Sequence, residues 1–357
     1  MKKLLVLLML FLTSMMLPLG CTSNSNNSQG TADDVLNVYN WTTYIDPEAI
    51  AQFESEFGVK VNYDTYESNE DLYAKLKPGN PGYDVIFPSD YMVEVMAAEE
   101  LVEPLNIDNI PNVKNINEQF LNPPYDPENQ YSLPYQWGTL GIGYNIEATG
   151  GEITSWAEMF NYGKAGSVSL LEDMRETLGA VLIYLGHDPN TTNPDALAEV
   201  RDFLVEKKEL IQAFAPDTGQ LLLTQGEVDM AFEWSGDVFQ VMEEDPNIRY
   251  VIPEEGTIVW TDTVAIPKDA PHKELAEEFI NFILEPEIGA QISNYIKYGS
   301  PNEAAKEQGL IAKEDLQNPA IYPAPEVFER LYYIEDVGEA TTMYDEAWTE
   351  IKVSIGM

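Results

Sequence analysis

Aromatic, hydroxyl and carboxylate side chains occur together at five places along this sequence, most of them directly after a predicted strand. These places are Trp41-Thr42-Thr43-Tyr44, Ser89-Asp90-Tyr91, Asp173 with Glu176, Glu233-Trp234-Ser235-Gly236-Asp237, and Trp260 with Asp262. The face of an aromatic ring attracts an organic cation by roughly 0.5–2 kcal/mol, and carboxylates accept its hydrogen bonds. The rings would also bury methylene groups at about 0.8 kcal/mol each. The set therefore suits organic ammonium ions, in particular diamines and triamines.

Each place also has a simpler structural explanation. Trp41 and Trp234 could be ordinary core aromatics, and Tyr91 could pack at the start of a helix. Asp173 and Glu176 could complement the positive end of a helix dipole, and Asp262 could lie on a solvated strand face. Paired carboxylates beside aromatic residues also fit glycoside hydrolysis, which uses two acids. The spacing of these residues leaves both the binding and the hydrolase interpretation open.

Composition excludes several other classes of protein. The 357 residues include 19 Lys and Arg against 61 Asp and Glu, a net charge of −42. Such a charge repels nucleic-acid phosphates and anionic lipid. Cys21 is the only cysteine, so no intramolecular disulfide can form, and His187 and His272 are too few for a histidine metal site. The GxG at 141–143 lacks the third glycine of a dinucleotide fingerprint, and no GxSxG motif is present, so we expect no cofactor, no metal and no serine-hydrolase triad.

Alternating hydrophobic patterns predict the elements that position these residues. A strand at 35–39 precedes a helix that starts at Asp46-Pro47 and ends at Gly58, because proline is favoured in the first helical turn and glycine after the last. A strand at 59–63, a helix at 68–76 and a strand at 83–87 follow. This β-α-β-α-β order predicts a doubly wound α/β lobe.

The second half of the chain predicts another α/β lobe. The apolar stretch GTLGIGY (138–144) would carry the chain out of the first lobe, and WTDTVAIP (260–267) would carry it back. We therefore expect a first lobe of residues 32–143 and 264–320, and a second of residues 144–263 and 321–357. Ligands of such folds bind at the interface between lobes and beyond the carboxyl ends of the strands.

The N-terminus has the pattern of a targeting segment. Lys2 and Lys3 precede the apolar run 4–12, and the stretch is too short to span a membrane. It ends at Gly20-Cys21 and resembles the lipobox of bacterial lipoproteins, although Pro18 stands where leucine is usual. We expect a signal peptide over 1–20, a lipid anchor on Cys21 and a polar tether over 21–31.

Eight segments together resemble the spermidine/putrescine-binding proteins of polyamine ABC transporters. They are NWTTYI (40–45), YESNEDLYAKL (66–76), YDVIFPSDYMV (83–93), YSLPYQWGTLGIGYN (131–145), TSWAEMF (154–160), LLEDMRE (170–176), WTDTVAIP (260–267) and YGSPN (298–302). The resemblance implies a two-lobed type II periplasmic-binding-protein fold that binds its ligand without chemistry. It also implies delivery to a membrane permease with its ATPase, outside the cytoplasmic membrane or in the periplasm. We expect a monomer.

The resemblance also implies the residues that would bind the ligand. They are Trp41, Thr42, Tyr44, Ser89, Tyr91, Asp173, Glu176, Trp234, Trp260, Asp262 and Tyr298. Two positions depart from the pattern: Thr43 stands where relatives often carry an acid, and Ile334 where spermidine-preferring members carry a glutamine. We expect both to line one end of the cleft, so that spermidine has little or no advantage over putrescine. The alternatives are a secreted carbohydrate-active enzyme and a binding protein for another cationic or small organic solute.

Overall fold

The computed structural model describes residues 35–216 and 219–356. The expected signal peptide, Cys21 and tether lie outside the described residues. The strands are β1 Val35–Trp41, β2 Lys60–Tyr66, β3 Val85–Ile86, β4 Ser132–Asn145, β5 Val168–Leu171, β6 Ile211–Ala215, β7 Met230–Trp234, β8 Ile248–Val251, β9 Thr257–Ala265 and β10 Leu331–Tyr332.

The described helices are distributed along the whole chain. They are α1 Pro47–Phe57, α2 Asn69–Leu76, α3 Asp90–Ala98, α4 Ile146–Thr149, α5 Trp156–Phe160, α6 Met174–Tyr184, α7 Pro194–Glu206, α8 Gln220–Thr224, α9 Ser235–Glu244, α10 Lys273–Ile283, α11 Pro286–Ile296, α12 Glu303–Glu307, α13 Lys313–Leu316, α14 Pro325–Phe328 and α15 Thr341–Ile355. Within residues 35–216 and 219–356, no helix is both long enough and apolar enough to cross a membrane.

Local signals in the sequence set the ends of the first helices. Asp46 caps α1 by accepting a hydrogen bond from the backbone of Glu48, and Gly58 ends the helix at a φ of 71°. Ser68 caps α2 by accepting from the backbone of Asp71. Side-chain caps satisfy amide groups that have no partner within the helix. The predicted boundaries of these two helices are therefore confirmed.

Two long strands join the two halves of the sheet. The sheet order is β2-β1-β3-β9-β4-β7-β5-β6. The parallel strands β2, β1 and β3 form the first lobe, and β5, β6 and β7 form the second. β9 pairs with β3 at one end, and β4 pairs with β7 at the other, while the two run antiparallel to each other between the lobes. This architecture confirms the predicted α/β fold with two lobes.

Aromatic clusters fill the core of each lobe. In the first lobe, Phe53 of α1 packs edge-on to Phe279 of α10, with ring centroids 5.0 Å apart. In the second, Trp156 of α5 packs on Phe232 of β7 with a centroid separation of 4.3 Å. Such contacts hold helices against the faces of the sheet, and the helices exclude water from both faces.

The structure differs from the sequence-based elements mainly at the crossing strands. β4 begins at Ser132 rather than near 138, so the crossing strand is twice as long as its glycine-rich part suggested. The proline- and asparagine-rich stretch before it forms short 3-10 turns. Because β4 and β9 belong to both halves, the exact lobe boundaries at 143 and 264 stay a prediction.

Candidate functional site

A cleft lies between the lobes where β4 and β9 cross. Ten of the eleven residues that the resemblance implied line this cleft, and Tyr91 does not. Asn69 and Asp237 join the ten. The lining residues are Trp41, Thr42, Tyr44, Asn69, Ser89, Asp173, Glu176, Trp234, Asp237, Trp260, Asp262 and Tyr298.

The topology explains why residues from distant parts of the chain meet here. Trp41 ends β1, Ser89 follows β3, Asp173 follows β5 and Trp234 ends β7. The carboxyl ends of parallel strands meet at one edge of a sheet, and this edge is where open α/β folds bind ligands. The cleft therefore lies between the carboxyl edges of the two sheet halves, and both lobes contribute side chains to it.

Aromatic rings form the walls of the cleft. Trp41 of the first lobe meets Trp234 of the second edge to face, with centroids 5.6 Å apart. Tyr298 packs edge to face on Tyr44 at 5.2 Å and on Trp260 at 5.1 Å. The cavity they enclose is narrow, about 30 Å³. A volume of that size holds only one or two waters, and the contact between Trp41 and Trp234 closes the cleft between the lobes in this conformation.

Asp262 occupies the middle of β9 and is held by a short hydrogen-bonded chain. The Ser89 hydroxyl donates to Asp262 Oδ1 at 2.6 Å. Asn69 in turn donates to Ser89 Oγ at 3.0 Å and accepts from the Ser89 backbone at 3.1 Å. Burial raises the pKa of Asp262 to about 7, while the hydrogen bond from Ser89 opposes this rise. Asp262 is 5% exposed, so it is not a solvated strand residue.

Asp173 and Glu176 lie at the start of α6. Asp173 caps the helix by accepting from the backbone of Glu176 at 2.9 Å, so its predicted helix-terminal role is confirmed. Both side chains are nevertheless buried, at 4% and 6% exposed, and Glu176 Oε2 has no hydrogen-bond partner. Burial, followed by the charge of Asp173, raises the pKa of Glu176 well above its usual range. An unpartnered buried acceptor is costly, and it marks a place for a donor.

Asp237 is a cleft carboxylate that the sequence analysis did not select. It lies in the first turn of α9, one helical turn after Trp234. The Tyr298 hydroxyl donates to Asp237 Oδ2 at 2.7 Å, and the Thr43 hydroxyl donates to Oδ1 at 3.4 Å. Burial raises the pKa of Asp237 to about 7, while these two hydrogen bonds oppose the rise. The segment WSGD (234–237) is one of the five places where aromatic, hydroxyl and carboxylate residues occur together, but nothing in the sequence distinguishes Asp237 from a residue that favours a helix start.

Three residues lie elsewhere than expected. Tyr91 and Ile334 line a second cavity behind β9, and Thr43 is exposed at the edge of the cleft beside Asp237. Thr43 and Ile334 therefore do not line one end of the cleft together, and that expectation was wrong. The reason lies in β9, which separates the region of Ile334 from the cleft.

The cleft concentrates negative charge without a basic side chain in its lining. Its four carboxylates are Asp173, Glu176, Asp237 and Asp262, and burial is the main cause of the raised pKa of each. Raised pKa values could not be expected from the sequence, because desolvation depends on which side chains the fold buries. Within the described part of the chain, no group of three His, Cys, Asp or Glu residues is placed to hold a metal ion.

A two-lobed α/β body with an aromatic, acidic cleft at its crossing strands is the architecture of a solute-binding protein. The chain belongs to the bacterial extracellular solute-binding protein family, which it matches over residues 48–324. It is therefore an extracytoplasmic binding protein and not an enzyme, which removes the hydrolase alternative. The resemblance stated from the sequence is confirmed.

Relatives of known name cover most of the chain. The spermidine/putrescine-binding periplasmic protein of Escherichia coli is 37% identical over 91% of this chain and 94% of its own length. The putrescine-binding periplasmic protein SpuD of Pseudomonas aeruginosa is 36% identical over the same two shares. Among solved structures, the spermidine/putrescine ABC transporter substrate-binding protein PotD of Streptococcus pneumoniae has a TM-score of 0.76 and 36% identity, covering 90% of this chain and all of the other.

Proposed function

We propose that this chain is the substrate-binding subunit of an ABC importer and captures polyamines in its cleft. The names of its relatives state spermidine and putrescine as ligands. The observation that carries the proposal is the set of four buried carboxylates between aromatic walls, with no basic residue in the lining. A buried carboxylate without a cation is costly, and a diamine supplies two cations joined by an apolar chain.

The aromatic walls and the acids have separate roles in this proposal. Trp41, Trp234, Trp260 and the two tyrosines of the cleft would cover the methylenes and present ring faces to the ammonium groups. The carboxylates would accept hydrogen bonds from the ammonium groups, and Glu176 Oε2 has a free acceptor position for this. Because the closed cleft is narrow, the lobes must separate before the ligand enters.

We propose that the advantage of spermidine over putrescine in this cleft is small or reversed. Thr43 supplies no carboxylate, but Asp237 supplies one beside it. Ile334 offers no polar atom and faces the rear of β9, so it cannot hold a third amine. A terminal ammonium without a charged partner loses about 1.5–3 kcal/mol. The carboxylate of Asp237 would pair with one ammonium group of a short diamine that reaches from one lobe to the other.

The partners and location follow from the same proposal. A binding subunit delivers its ligand to a membrane permease driven by an ATPase. We propose a lipid anchor on Cys21 and a tether that keeps the folded body near the membrane. A similar solved structure, from Treponema pallidum, is named a lipoprotein. It is 33% identical with a TM-score of 0.77, and the match covers 89% of this chain and 99% of the other. We further propose a monomer whose lobes comprise residues 32–143 with 264–320 and 144–263 with 321–357.

Thermal stabilisation by ligands tests the function. A ligand at 100 times its Kd stabilises the folded state by about 2.7 kcal/mol, which for a chain of this size raises Tm by roughly 2–4 °C per kcal/mol. We expect this rise with putrescine and spermidine, and none with glucose or maltose. A rise with a sugar alone would overturn the proposal.

A matched pair of variants tests the site. Asp262→Asn keeps the shape of a buried cleft side chain and removes its charge, whereas Asp195→Asn makes the same change at an exposed position of α7. Leaving a buried ammonium without its carboxylate costs roughly 3–5 kcal/mol. Calorimetry should therefore show much weaker putrescine binding for Asp262→Asn and parent-like binding for Asp195→Asn. Equal affinities in all three proteins would remove Asp262 from the site.

A further inference from the structure

Helix α9 contacts the first lobe at the end of α11. α9 belongs to the second lobe, where it packs on β7, β8 and α8, whereas α11 packs on α1 and α10 of the first lobe. The two helices meet at residues 296–298, which lead into Gly299 beside Trp137 of the crossing strand β4. Their contact nearest the cleft is the hydrogen bond that the Tyr298 hydroxyl donates to Asp237. This surface therefore joins the two lobes.

Two side chains further along α9 continue the contact away from the cleft. Gln240 Nε2 donates to the backbone oxygen of Ile296 at 3.1 Å, and Glu243 Oε1 lies 2.8 Å from Lys297 Nζ. Residues three apart are neighbours on one side of a helix, so Gln240 and Glu243 follow Asp237 along the same side of α9. We call Gln240, Glu243 and Lys297 the α9 clasp. None of the three lines the cleft.

Lys297 lies between two carboxylates. Its ammonium group is 2.8 Å from Glu243 and 3.4 Å from Asp315 of α13, a helix that packs beside α11. Burial alone would lower the pKa of Lys297, but the hydrogen bonds and charges of Glu243 and Asp315 raise it. Lys297 therefore keeps its charge at neutral pH and pairs an acid of each lobe.

The backbone of Lys297 has a conformation that lysine seldom adopts. The residue ends α11 with a φ of 65° and a ψ of 22°, and its amide donates to the backbone oxygen of Ser293 at 2.8 Å. This position after a helix usually carries glycine or asparagine, because a side chain in a left-handed backbone is crowded. Glycine would suit the turn better, so what lysine adds here is its ammonium group.

Contacts between the lobes affect ligand binding even where they do not touch the ligand. Separation of the lobes would part α9 from residues 296–298, so the clasp stabilises only the closed form. The apparent affinity for a ligand held by the closed form falls with the fraction of the protein in that form. A contact confined to the closed form therefore raises affinity and slows release.

We propose that the α9 clasp determines the affinity and release rate of the ligand by stabilising the closed form. Glu243 and Gln240 of the second lobe act on Lys297 and Ile296 of the first, and neither needs to contact the ligand. The effect on affinity rests on the function proposed for the cleft, whereas the effect on closure is a property of the empty protein.

Glu243→Gln tests the clasp in ligand binding, because it keeps the shape of the side chain and removes its charge. The Glu243 side chain is exposed, so its ion pair should contribute about two- to fivefold. Affinities for putrescine and spermidine should fall by this same factor in calorimetry, with faster release in stopped-flow measurements. The control Glu244→Gln makes the same change at the next exposed residue of α9 and should bind like the parent.

Lys297→Gly separates the clasp from general support of the fold. Glycine relieves the left-handed backbone, which offsets the lost ion pairs, so the Tm of the empty protein should change little. Affinity should nevertheless fall at least as far as in Glu243→Gln. Because both changes remove the same ion pair, the double variant should lose less than the product of the two single losses.

Small-angle X-ray scattering of the empty protein tests closure without any ligand. Glu243→Lys sets like charges across the lobes and should have a larger radius of gyration than the parent, whereas the control Glu244→Lys should not. If the parent binds neither polyamine, the function proposed for the cleft fails and the scattering comparison still decides the clasp. An unchanged radius for Glu243→Lys with parent-like affinity in Glu243→Gln, or a loss confined to one of the two ligands, overturns the clasp.

Discussion

Ligand binding should depend strongly on pH, because two cleft carboxyls have pKa values near neutrality. Burial raises the pKa of Asp237 and of Asp262 to about 7. A diamine keeps both of its charges below pH 9, since alkyl ammonium groups lose protons only near pH 10. The ligand therefore needs ionised carboxylates, and at lower pH the protein must first release protons to form them.

The size of the effect follows from these values. At pH 5.5 each carboxyl lies about 1.5 units below its pKa, and ionising it costs about 2 kcal/mol at 1.36 kcal/mol per unit. Two carboxyls cost about 4 kcal/mol, close to a thousandfold in affinity. Glu176, whose pKa is also raised by burial, acts in the same direction. Affinity for putrescine should therefore rise steeply from pH 5.5 to pH 8 and then level off.

Calorimetry in pairs of buffers with different ionisation enthalpies measures both the affinity and the protons released. At pH 6 we expect between one and two protons released per putrescine bound. Asp262→Asn removes one of the titrating groups, so its affinity should be lower but its dependence on pH shallower. An affinity that is constant between pH 5.5 and 8.5, with no proton release, would refute the reasoning, because the carboxyls would then be ionised in the empty cleft.

Three further predictions concern stability and selectivity. The empty protein should unfold at a lower temperature at pH 8 than at pH 5.5 in calorimetric scans. Asp237 and Asp262 have raised pKa values in the folded state, so the stability that comes from their bound protons is lost as pH rises from about 4 to 7. Saturating putrescine should reduce the difference in unfolding temperature, and an unchanged difference would contradict this prediction. Gly236→Ala would place a methyl group against the Tyr298 ring and should cost about 1–3 kcal/mol in denaturant unfolding, whereas Gly151→Ala, in open space, should not. Thr43→Glu, which adds a carboxylate at the edge of the cleft beside Asp237, should raise spermidine affinity more than putrescine affinity in competition calorimetry. Ile334→Gln, on the rear side of β9, should change neither affinity, and a parent that already prefers spermidine a hundredfold would contradict the role given to Thr43.

Local signals in the sequence were sufficient to predict the fold class. The caps at Asp46 and Ser68 and the turn at Gly58 have short-range causes, so their helices were placed correctly. The length of β4 was not predicted, since its first residues look like the proline-rich stretch before them.

The site was predictable where aromatic and acidic residues follow strands. Trp41, Ser89 and Trp234 lie at or just after strand ends, so the strands predicted from the sequence place them at the carboxyl edge of the sheet. The identity of Asp237 as a cleft acid was not predictable, because its burial depends on Tyr298, which lies far along the chain. Tyr91 lines the second cavity, yet burial and then charges that include those of Asp173 and Glu176 in the cleft raise the pKa of its hydroxyl, and no local pattern in the sequence reports this placement.

The pairing of β3 with β9 has a consequence for how the chain acquires its structure. Ile86 is opposite Ala265, and all of β5 to β8 lies between them in the chain. During synthesis the strands of the second lobe emerge before β9 can complete the first sheet. Pairings between residues so distant in sequence form slowly. The N-terminal half therefore lacks a finished core until most of the polypeptide has been made, which leaves time for a chain of an extracellular family to cross a membrane before it becomes compact.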